Sequence, residues 1–497
     1  MFVKMIKMKK ILLLPFLALL TFSFQGSVTS SKLTENLKVV INRMSDQDSI
    51  ACWVFLKDKG QGSQKLFKTP EKLVSKRSLE RRKKYLPADE LVNTTDLPVY
   101  GEYLKSLESI GLVVKSKSKW LNSACVQVTK AQVKEIERLP FVSKIDLVMR
   151  FSKRYTNQVV DDPETKQFQN EPNSKNEHAL NYGKSLRQNE MMNVPALHDL
   201  GITGKGVLVG VFDTGFNNLE HKAFENIDIL AAWDFVNGDS DVSDGTDAGE
   251  GSHGTNVLSA IGGYSSGNLI GPAYGATFLL AKTENTDSET PLEEDNWISA
   301  IEWADSIGVD LVTSSLGYLD YDPPFHSYSW KDMDGNTARI TIAADMAVGK
   351  GIAVFISAGN EGPNALHNTL SAPADGDSVI AVGAVDQNGS IAYFSSVGPT
   401  VDGRIKPDIL ALGFGVRVAG TLTKSGYSLA SGTSFSCPLA AGVGVLLLSQ
   451  QPWLSPVQLA DVLRSTAGNS LNPNNEMGWG VVNALDALNA ARSFKKQ

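Results

Sequence analysis

The sequence predicts an α/β protein with a mainly parallel sheet and helices on both faces, preceded by a small α+β domain. Three observations carry this. Short apolar runs recur at Val207–Phe212, Phe278–Ala281, Val309–Thr313, Ile352–Ile356 and Val379–Val382, as in parallel strands buried on both faces. Helical stretches such as Trp297–Ser306 and Arg339–Gly349 alternate with them, the pattern of successive βαβ units. Before residue 151 the elements run βαββαβ, a split ferredoxin-like order.

The first 30 residues read as a secretory leader. Lys4, Lys7, Lys9 and Lys10 precede the apolar run Ile11–Phe24. Its 14 residues suit a signal-peptide core and fall short of the ~20 of a membrane span. Residues 1–26 are therefore expected to be a signal peptide. The mature protein is expected to lack a membrane span and to be secreted or periplasmic. An uncleaved membrane tether is the other reading.

Residues 31–151 form the predicted small domain. Ala51–Leu56 is a strand by its apolar and aromatic content. A basic stretch, Glu71–Tyr85, reads as helix. Tyr103, Leu104, Leu107 and Ile110 share a helical face, and so do Val133, Ile136 and Leu139. Leu112–Lys119, Ala124–Val128 and Phe141–Val148 are the remaining strands. Residues 152–186 are polar, lack periodicity and read as an exposed linker. Residues 187–497 are the larger domain.

Composition narrows the function. Hydrophobic residues at 42% and charged residues at 20% exclude a largely disordered chain. A net charge of −7 argues against a nucleic-acid binder. The charge is uneven: residues 31–150 carry 23 basic and 14 acidic side chains, and residues 151–497 carry 20 and 40. Opposite fields favour docking of the first part on the second, although two independently solvated surfaces would look the same. Three cysteines are too few for a disulfide scaffold. Cys52 and Cys125 both fall on predicted strands, so a disulfide and buried free thiols both stay open.

Four short motifs follow in order. Asp213 ends the first strand in Val211-Phe-Asp-Thr-Gly215, and His253 opens a helix in Gly251-Ser-His-Gly-Thr-Asn-Val257. Asn360 follows a strand in Ile356-Ser-Ala-Gly-Asn-Glu-Gly-Pro363, and Ser434 opens a helix in Ser431-Gly-Thr-Ser-Phe-Ser-Cys-Pro438. A serine hydroxyl needs an adjacent base. An imidazole serves as that base near neutral pH, and a carboxylate holds its tautomer. A tetrahedral intermediate needs fixed donors for its oxyanion, which the Asn360 amide and the Ser434 N–H would supply. Each motif alone is weak, and their joint order carries the reading.

These motifs resemble those of the subtilisin-like serine proteases, the subtilases. The resemblance covers roughly residues 188–490, and residues 48–150 resemble the inhibitor-type propeptide of that family. It implies Asp213 as orienting acid, His253 as base, Ser434 as nucleophile and Asn360 as oxyanion donor. Ser314-Ser-Leu-Gly317 resembles the strand lining the substrate cleft, which implies that Ser315, Leu316 and Gly317 bind substrate. Ser378–Ala384 and Ile405–Ile409 resemble framework segments. The resemblance implies an exported endopeptidase made as an autoprocessed precursor. Its partners would be protein or peptide substrates and its own propeptide, with no cofactor required for chemistry.

Some features depart from the family pattern. Asn256 and Leu439 stand where many subtilases have histidines. The loop Ser265–Ile270 is short for the family's best-known calcium loop. Asp239, Asp241, Asp244, Asp247 and Glu250 crowd the stretch Asp234–Glu250, so a structural calcium is an open reading there beside a solvated acidic loop. Cys437 is expected to be a small buried apolar residue, and His221 an ordinary surface one. A catalytically inactive peptide-binding relative is one alternative. An esterase of α/β-hydrolase type, using Ser265 in Gly263-Tyr-Ser-Ser-Gly267, is another. That motif needs a strand before the serine and a helix after it, whereas the expected helix from His253 precedes Ser265.

Overall fold

Along residues 31–148 the strands bury side chains on both faces, Cys52 and Val54 toward the domain's own helices and Trp53 and Cys125 on the other side. The computed structural model describes residues 31–148, 158–161, 178–243, 251–286, 292–319 and 327–494. The signal-peptide reading of residues 1–26 lies outside them, as does most of 152–186. The N-terminal domain runs α1 (Glu35–Arg43), β1 (Ser49–Leu56), α2 (Lys76–Arg82), α3 (Gly101–Ser109), β2 (Val114–Ser118), β3 (Ser123–Thr129), α4 (Lys130–Arg138) and β4 (Val142–Leu147). Its sheet order, β2-β3-β1-β4, is the ferredoxin-like one. Val133 and Ile136 of α4 are buried in its core with Val54, Val126 and Ile145. A capping box between Thr129 and Gln132 fixes where α4 begins.

Two elements differ from expectation. Helix α1, not anticipated, buries Leu37 and Ile41 in the same core; its mostly polar nine residues hide the stripe. The basic stretch Glu71–Tyr85 is α-helical only over α2, because the Ser75 hydroxyl accepts from the Ser78 N–H and caps the helix there.

Strand β5 (Gln158–Asp161) lies within the stretch read as an exposed linker. The larger domain then adds α5 (Leu186–Glu190), α6 (Val194–Asp199), β6 (Leu208–Asp213), β7 (Asp228–Asp234), α7 (His253–Gly262), the short pair β8 (Tyr264–Ser265) and β9 (Leu269–Ile270), β10 (Thr277–Lys282) and α8 (Leu292–Ile307). It closes with β11 (Leu311–Ser314), α9 (Arg339–Gly349), β12 (Ala353–Ser357), β13 (Ile380–Val385), β14 (Ile409–Leu412), β15 (Val416–Ala419), β16 (Tyr427–Ser431), α10 (Thr433–Gln450), α11 (Pro456–Ser465) and α12 (Ala484–Ala491). Seven strands pair in the order β14-β13-β12-β11-β6-β10-β7, every pair parallel. Helices α7 and α10 share a core with one face, and α8 and α9 with the other. This is the α/β architecture the apolar runs predicted. Helix α10 is long and apolar enough by composition to cross a membrane, but sixteen of its eighteen residues are buried inside the protein. Strand β5 pairs antiparallel with β16, Gln158 opposite Ser431. An edge strand offers unpaired backbone groups, and these four residues take them up.

The N-terminal sheet lies on helix α8. Trp53 Nε1 donates to Asp295 Oδ1 at 2.9 Å. Glu302 accepts from Ser118 Oγ at 2.6 Å, the Trp120 N–H at 3.0 Å and the Lys119 N–H at 3.1 Å. Trp120 is buried within the core of the larger domain, with the Lys350 ammonium 5.2 Å from its ring centre. The two domains thus share apolar surface as well as charge.

All three cysteines are buried and free. Cys52 and Cys125 cannot pair, because the register sets Cys52 opposite Val126 and Trp53 opposite Cys125. Cys52 therefore faces the domain core, whereas Cys125 packs with Trp53 and Val148. Burial pushes all three thiols up, Cys437 to about 12. Iodoacetamide at pH 8 should leave Cys52, Cys125 and Cys437 of the native full chain unmodified and label all three after denaturation, as read by peptide mass spectrometry.

Asp295, covered by the N-terminal sheet, is expected to give the docking a pH dependence. Burial pushes its carboxyl up to about 8; Arg339 opposes the shift and Glu294 adds to it. Trp53 and Cys125 face it from the N-terminal sheet. An acid whose pKa is raised by docking takes up a proton when the domains meet. The affinity is therefore full below the free carboxylate range near ~4 and falls as pH rises toward 8. Once the chain between the domains is cut, their dissociation constant should rise by up to about tenfold per pH unit across that window. Asp295→Asn should reduce the slope and leave the share of Glu302, which burial also raises, and native mass spectrometry across a pH series would read this.

Candidate active site

Parallel strands end together, so residues just past the ends of neighbouring strands meet at one edge. Strands β6, β11 and β12 are adjacent. Asp213 is the last residue of β6, Ser315–Gly317 follow β11, and Asn360 lies three residues past β12. Helix α7 starts at His253 and α10 at Thr433. The structure thus gathers the Asp213, His253, Asn360, Ser434 and Ser315–Gly317 candidates at one edge of the sheet.

Asp213 is fully buried. Its Oδ1 accepts from His253 Nδ1 at 2.7 Å and from the Thr214 N–H at 2.8 Å. Oδ2 has no hydrogen-bond partner among the described residues. The imidazole lies 5.3 Å from the Phe435 ring, centre to centre. With Nδ1–H given to the carboxylate, Nε2 carries the lone pair, the tautomer a general base needs.

Ser434 is 3% exposed, one residue inside α10. Gly432 before it holds φ at +152°, which a side chain disfavours. The Ser434 hydroxyl donates to the Ser315 carbonyl at a long 3.3 Å. Four residues on, Pro438 lies inside the helix. Proline has no N–H, so the Ser434 carbonyl loses its helical donor. Ser315 Oγ supplies the replacement at 2.7 Å. The strand read as lining a cleft is therefore tied to the serine through a bond that the proline frees.

Asn360 is aimed by its neighbour. Its Oδ1 accepts from the Thr433 N–H at 2.8 Å and from Thr433 Oγ1 at 2.9 Å. That fixes which end of the amide faces α10 and turns Nδ2 away from Thr433. Gly359 holds φ at +115°, where a Cβ would approach Ser396 Oγ. Leu316 is buried, and Gly317 lies so close to Ser371 Oγ that a Cβ would collide with it. Sequence reasoning missed Thr433 and Phe435 as supports. Pro438, four residues past Ser434, was a visible signal of the free carbonyl.

Other candidates fall elsewhere. Ser265 ends β8 directly after α7 and turns into β9, so no strand-to-helix elbow holds it. His221 is buried rather than on the surface, its Nε2 2.7 Å from the Gly426 carbonyl and its Nδ1 accepting the Ala223 N–H. The acidic loop has one charge already neutralised: Lys282 Nζ is 3.1 Å from Asp234 Oδ2. Asp234 also accepts from the N–H groups of Val236 and Asn237. Asp244, Asp247 and Glu250 lie outside the described residues. Among the described residues no three side chains cluster as metal ligands.

Comparison with known proteins gives the family. Residues 204–480 match the Subtilase family, and residues 51–166 match the Peptidase S8 propeptide domain, Bacteroidota. Subtilisin DY of Bacillus licheniformis is 33% identical over 283 residues, 57% of this chain and 91% of that protein. Subtilisin NAT of Bacillus subtilis subsp. natto is 29% identical over 380 residues, 75% of this chain and 82% of the relative. Serine protease AprX of Bacillus subtilis (strain 168) is 33% identical over 316 residues, 58% and 67% respectively. A solved protease from Pseudoalteromonas arctica aligns over 63% of this chain and 99% of its own at 24% identity, with a TM-score of 0.49. The chain belongs to the subtilase family of serine proteases and carries that family's propeptide domain ahead of its peptidase domain.

Proposed function

We propose that this chain is an exported endopeptidase, autoprocessed from a precursor, that cleaves peptide bonds with Ser434 as nucleophile. The observation that carries the reading is the 2.7 Å bond from His253 Nδ1 to the buried Asp213 carboxylate. It supports an imidazole whose Nδ1–H is held by the acid and whose Nε2 is directed away from it. In the proposed cycle His253 Nε2 takes the Ser434 proton as Oγ attacks the carbonyl carbon, and the weak bond to Ser315 breaks. The imidazolium is stabilised by Asp213 and returns the proton to the leaving amine. Asn360 Nδ2 and the Ser434 N–H receive the oxyanion, a charge present only after attack. Ser315, Leu316 and Gly317 are proposed to bind the substrate backbone beside β11.

The proposed division is a signal peptide at 1–26, a propeptide at 31–151, a linker at 152–186 and a peptidase domain at 187–497. Strand β5 supports a connection that passes the site, since Gln158 pairs with Ser431, three residues before Ser434. Processing would then separate the chain after Val148. The uneven charge supports a propeptide that stays docked and inhibits. Secretion is inferred from the leader.

Ser434→Ala should lower peptide turnover by about 10⁶, the size of the loss in subtilisin, which belongs to the same family. Near-normal hydrolysis by folded Ser434→Ala protein would refute the assignment. Asn360→Ala should lower kcat by about 10²–10³, again the subtilisin scale, with little change in KM. Thr433→Val should also act on kcat, by a smaller factor, because it removes one of the two bonds that orient the Asn360 amide and leaves the backbone one. A change confined to KM in either variant would remove Asn360 from the oxyanion site.

A further inference from the structure

The propeptide touches the peptidase domain in a second place, away from its sheet. Helix α2 meets the C-terminal end of α8, and its residues supply donors to carbonyls at and just beyond that helix end. The Ser75 N–H donates to the Ser306 carbonyl at 2.8 Å and Ser75 Oγ to Ile307 at 2.7 Å. Arg77 Nε donates to Gly308 at 3.0 Å and Arg81 Nη1 to Val309 at 2.5 Å. Arg77 also pairs with Asp310.

Below these contacts lies a buried charge network. Asp305 is fully buried, with Arg81 on one carboxylate oxygen and Arg82 Nη2 on the other, the latter at 2.6 Å. Arg82 also forks onto Asp96, both bonds at 2.9 Å, and Lys350 reaches Asp96 at 2.9 Å. Arg81 and Arg82 are each 1% exposed. Arg81 serves a carbonyl and a carboxylate at once, which needs the planar fork of a guanidinium and not the point charge of a lysine.

The peptidase surface is shaped for this occupant. Gly308 holds φ at +106°, and a Cβ there would meet the Ser78 backbone nitrogen at 2.6 Å. Gly351 holds φ at +88°, and a Cβ there would run into the Tyr85 ring. Asp305, Asp310, Gly308 and Gly351 all belong to the peptidase domain, and each meets the propeptide here; Asp310 also accepts from the Leu208 N–H of its own domain at 3.0 Å.

We infer that the end of α8 is an arginine-binding exosite of the peptidase, separate from the cleft, whose occupant is the propeptide segment Ser75–Tyr85. It keeps the cut propeptide attached and takes it back after release. The inference rests on the reading of the N-terminal domain as a propeptide that is cut away. Removing one partner of a buried pair leaves an uncompensated charge, which costs far more than the pair itself contributes. The attachment is thus selective for arginine at these positions.

The test uses the full chain carrying Ser434→Ala, with a recognition sequence for an external protease placed between residues 161 and 178. After cutting, native mass spectrometry follows separation of the two parts. Arg81→Lys and Asp305→Asn should each raise the dissociation constant roughly 100-fold or more. If a variant fails to fold, the unsubstituted cut chain is titrated with arginine amide and, at equal concentration, lysine amide. Arginine amide should loosen the attachment severalfold more than lysine amide. Unchanged dissociation constants in both folded variants, or equal effects of the two amides, would overturn the exosite. Because the readout is mass and Ser434 is replaced throughout, the result does not depend on the catalytic reading. A wild-type chain that never loses residues 31–148 would instead defeat the propeptide reading.

Discussion

Helix α10 presses an apolar surface against strands β11 to β14 and against helix α7, and the position of Ser434 follows from that packing. Sixteen of its residues, Thr433 through Leu448, are buried. Small side chains let it lie close: a Cβ on Gly442 would strike Pro272, and one on Gly444 would press on Phe355. A helix held this tightly cannot slide, so its first turn is fixed relative to the strand ends. Asp213, His253 and Asn360 then need only local turns to reach it. The burial that stabilises the fold, worth roughly 25 cal/mol per Å² of apolar surface, is also what positions Ser434, the proposed nucleophile.

Helix α8 plays the corresponding part for the propeptide. Its first turn presents Asp295 to Trp53, its middle presents Glu302 to Ser118 and Trp120, and its last turn presents Asp305 to Arg81 and Arg82. Three carboxylates at successive heights on one helix give the N-terminal domain three points of attachment. Their environments differ: Asp295 and Glu302 are raised by burial, whereas Asp305 is held by two guanidinium groups. The same docking therefore answers both to pH and to the presence of arginine.

Much of this was legible in the sequence. The five apolar runs each became a buried parallel strand within a few residues, because burial on both faces leaves a continuous apolar signal. The candidate catalytic residues were legible because strand ends and helix starts are local features. What was hidden depends on long-range pairing. Nothing near Arg82 signals Asp305, 223 residues away, or ties Asp96 to Lys350, 254 residues on. His221 lacked a motif and was read as exposed, yet the Gly426 carbonyl on a distant loop buries it. Strand β5 was hidden for the same reason, its partner lying on β16.

That pairing of β5 with β16 has a consequence for the two forms of the protein. In the precursor, β16 has neighbours on both sides, β15 and β5. A cut beyond Asp161 would leave the β5 side of β16 as an open rim of amide and carbonyl groups, with Leu429 already 37% exposed beside it. Open rims template the strands of other chains, including copies of the same protein. A chain that kept β5 paired would then suit storage at high concentration, and one that lost it would be the more prone to self-association through that rim.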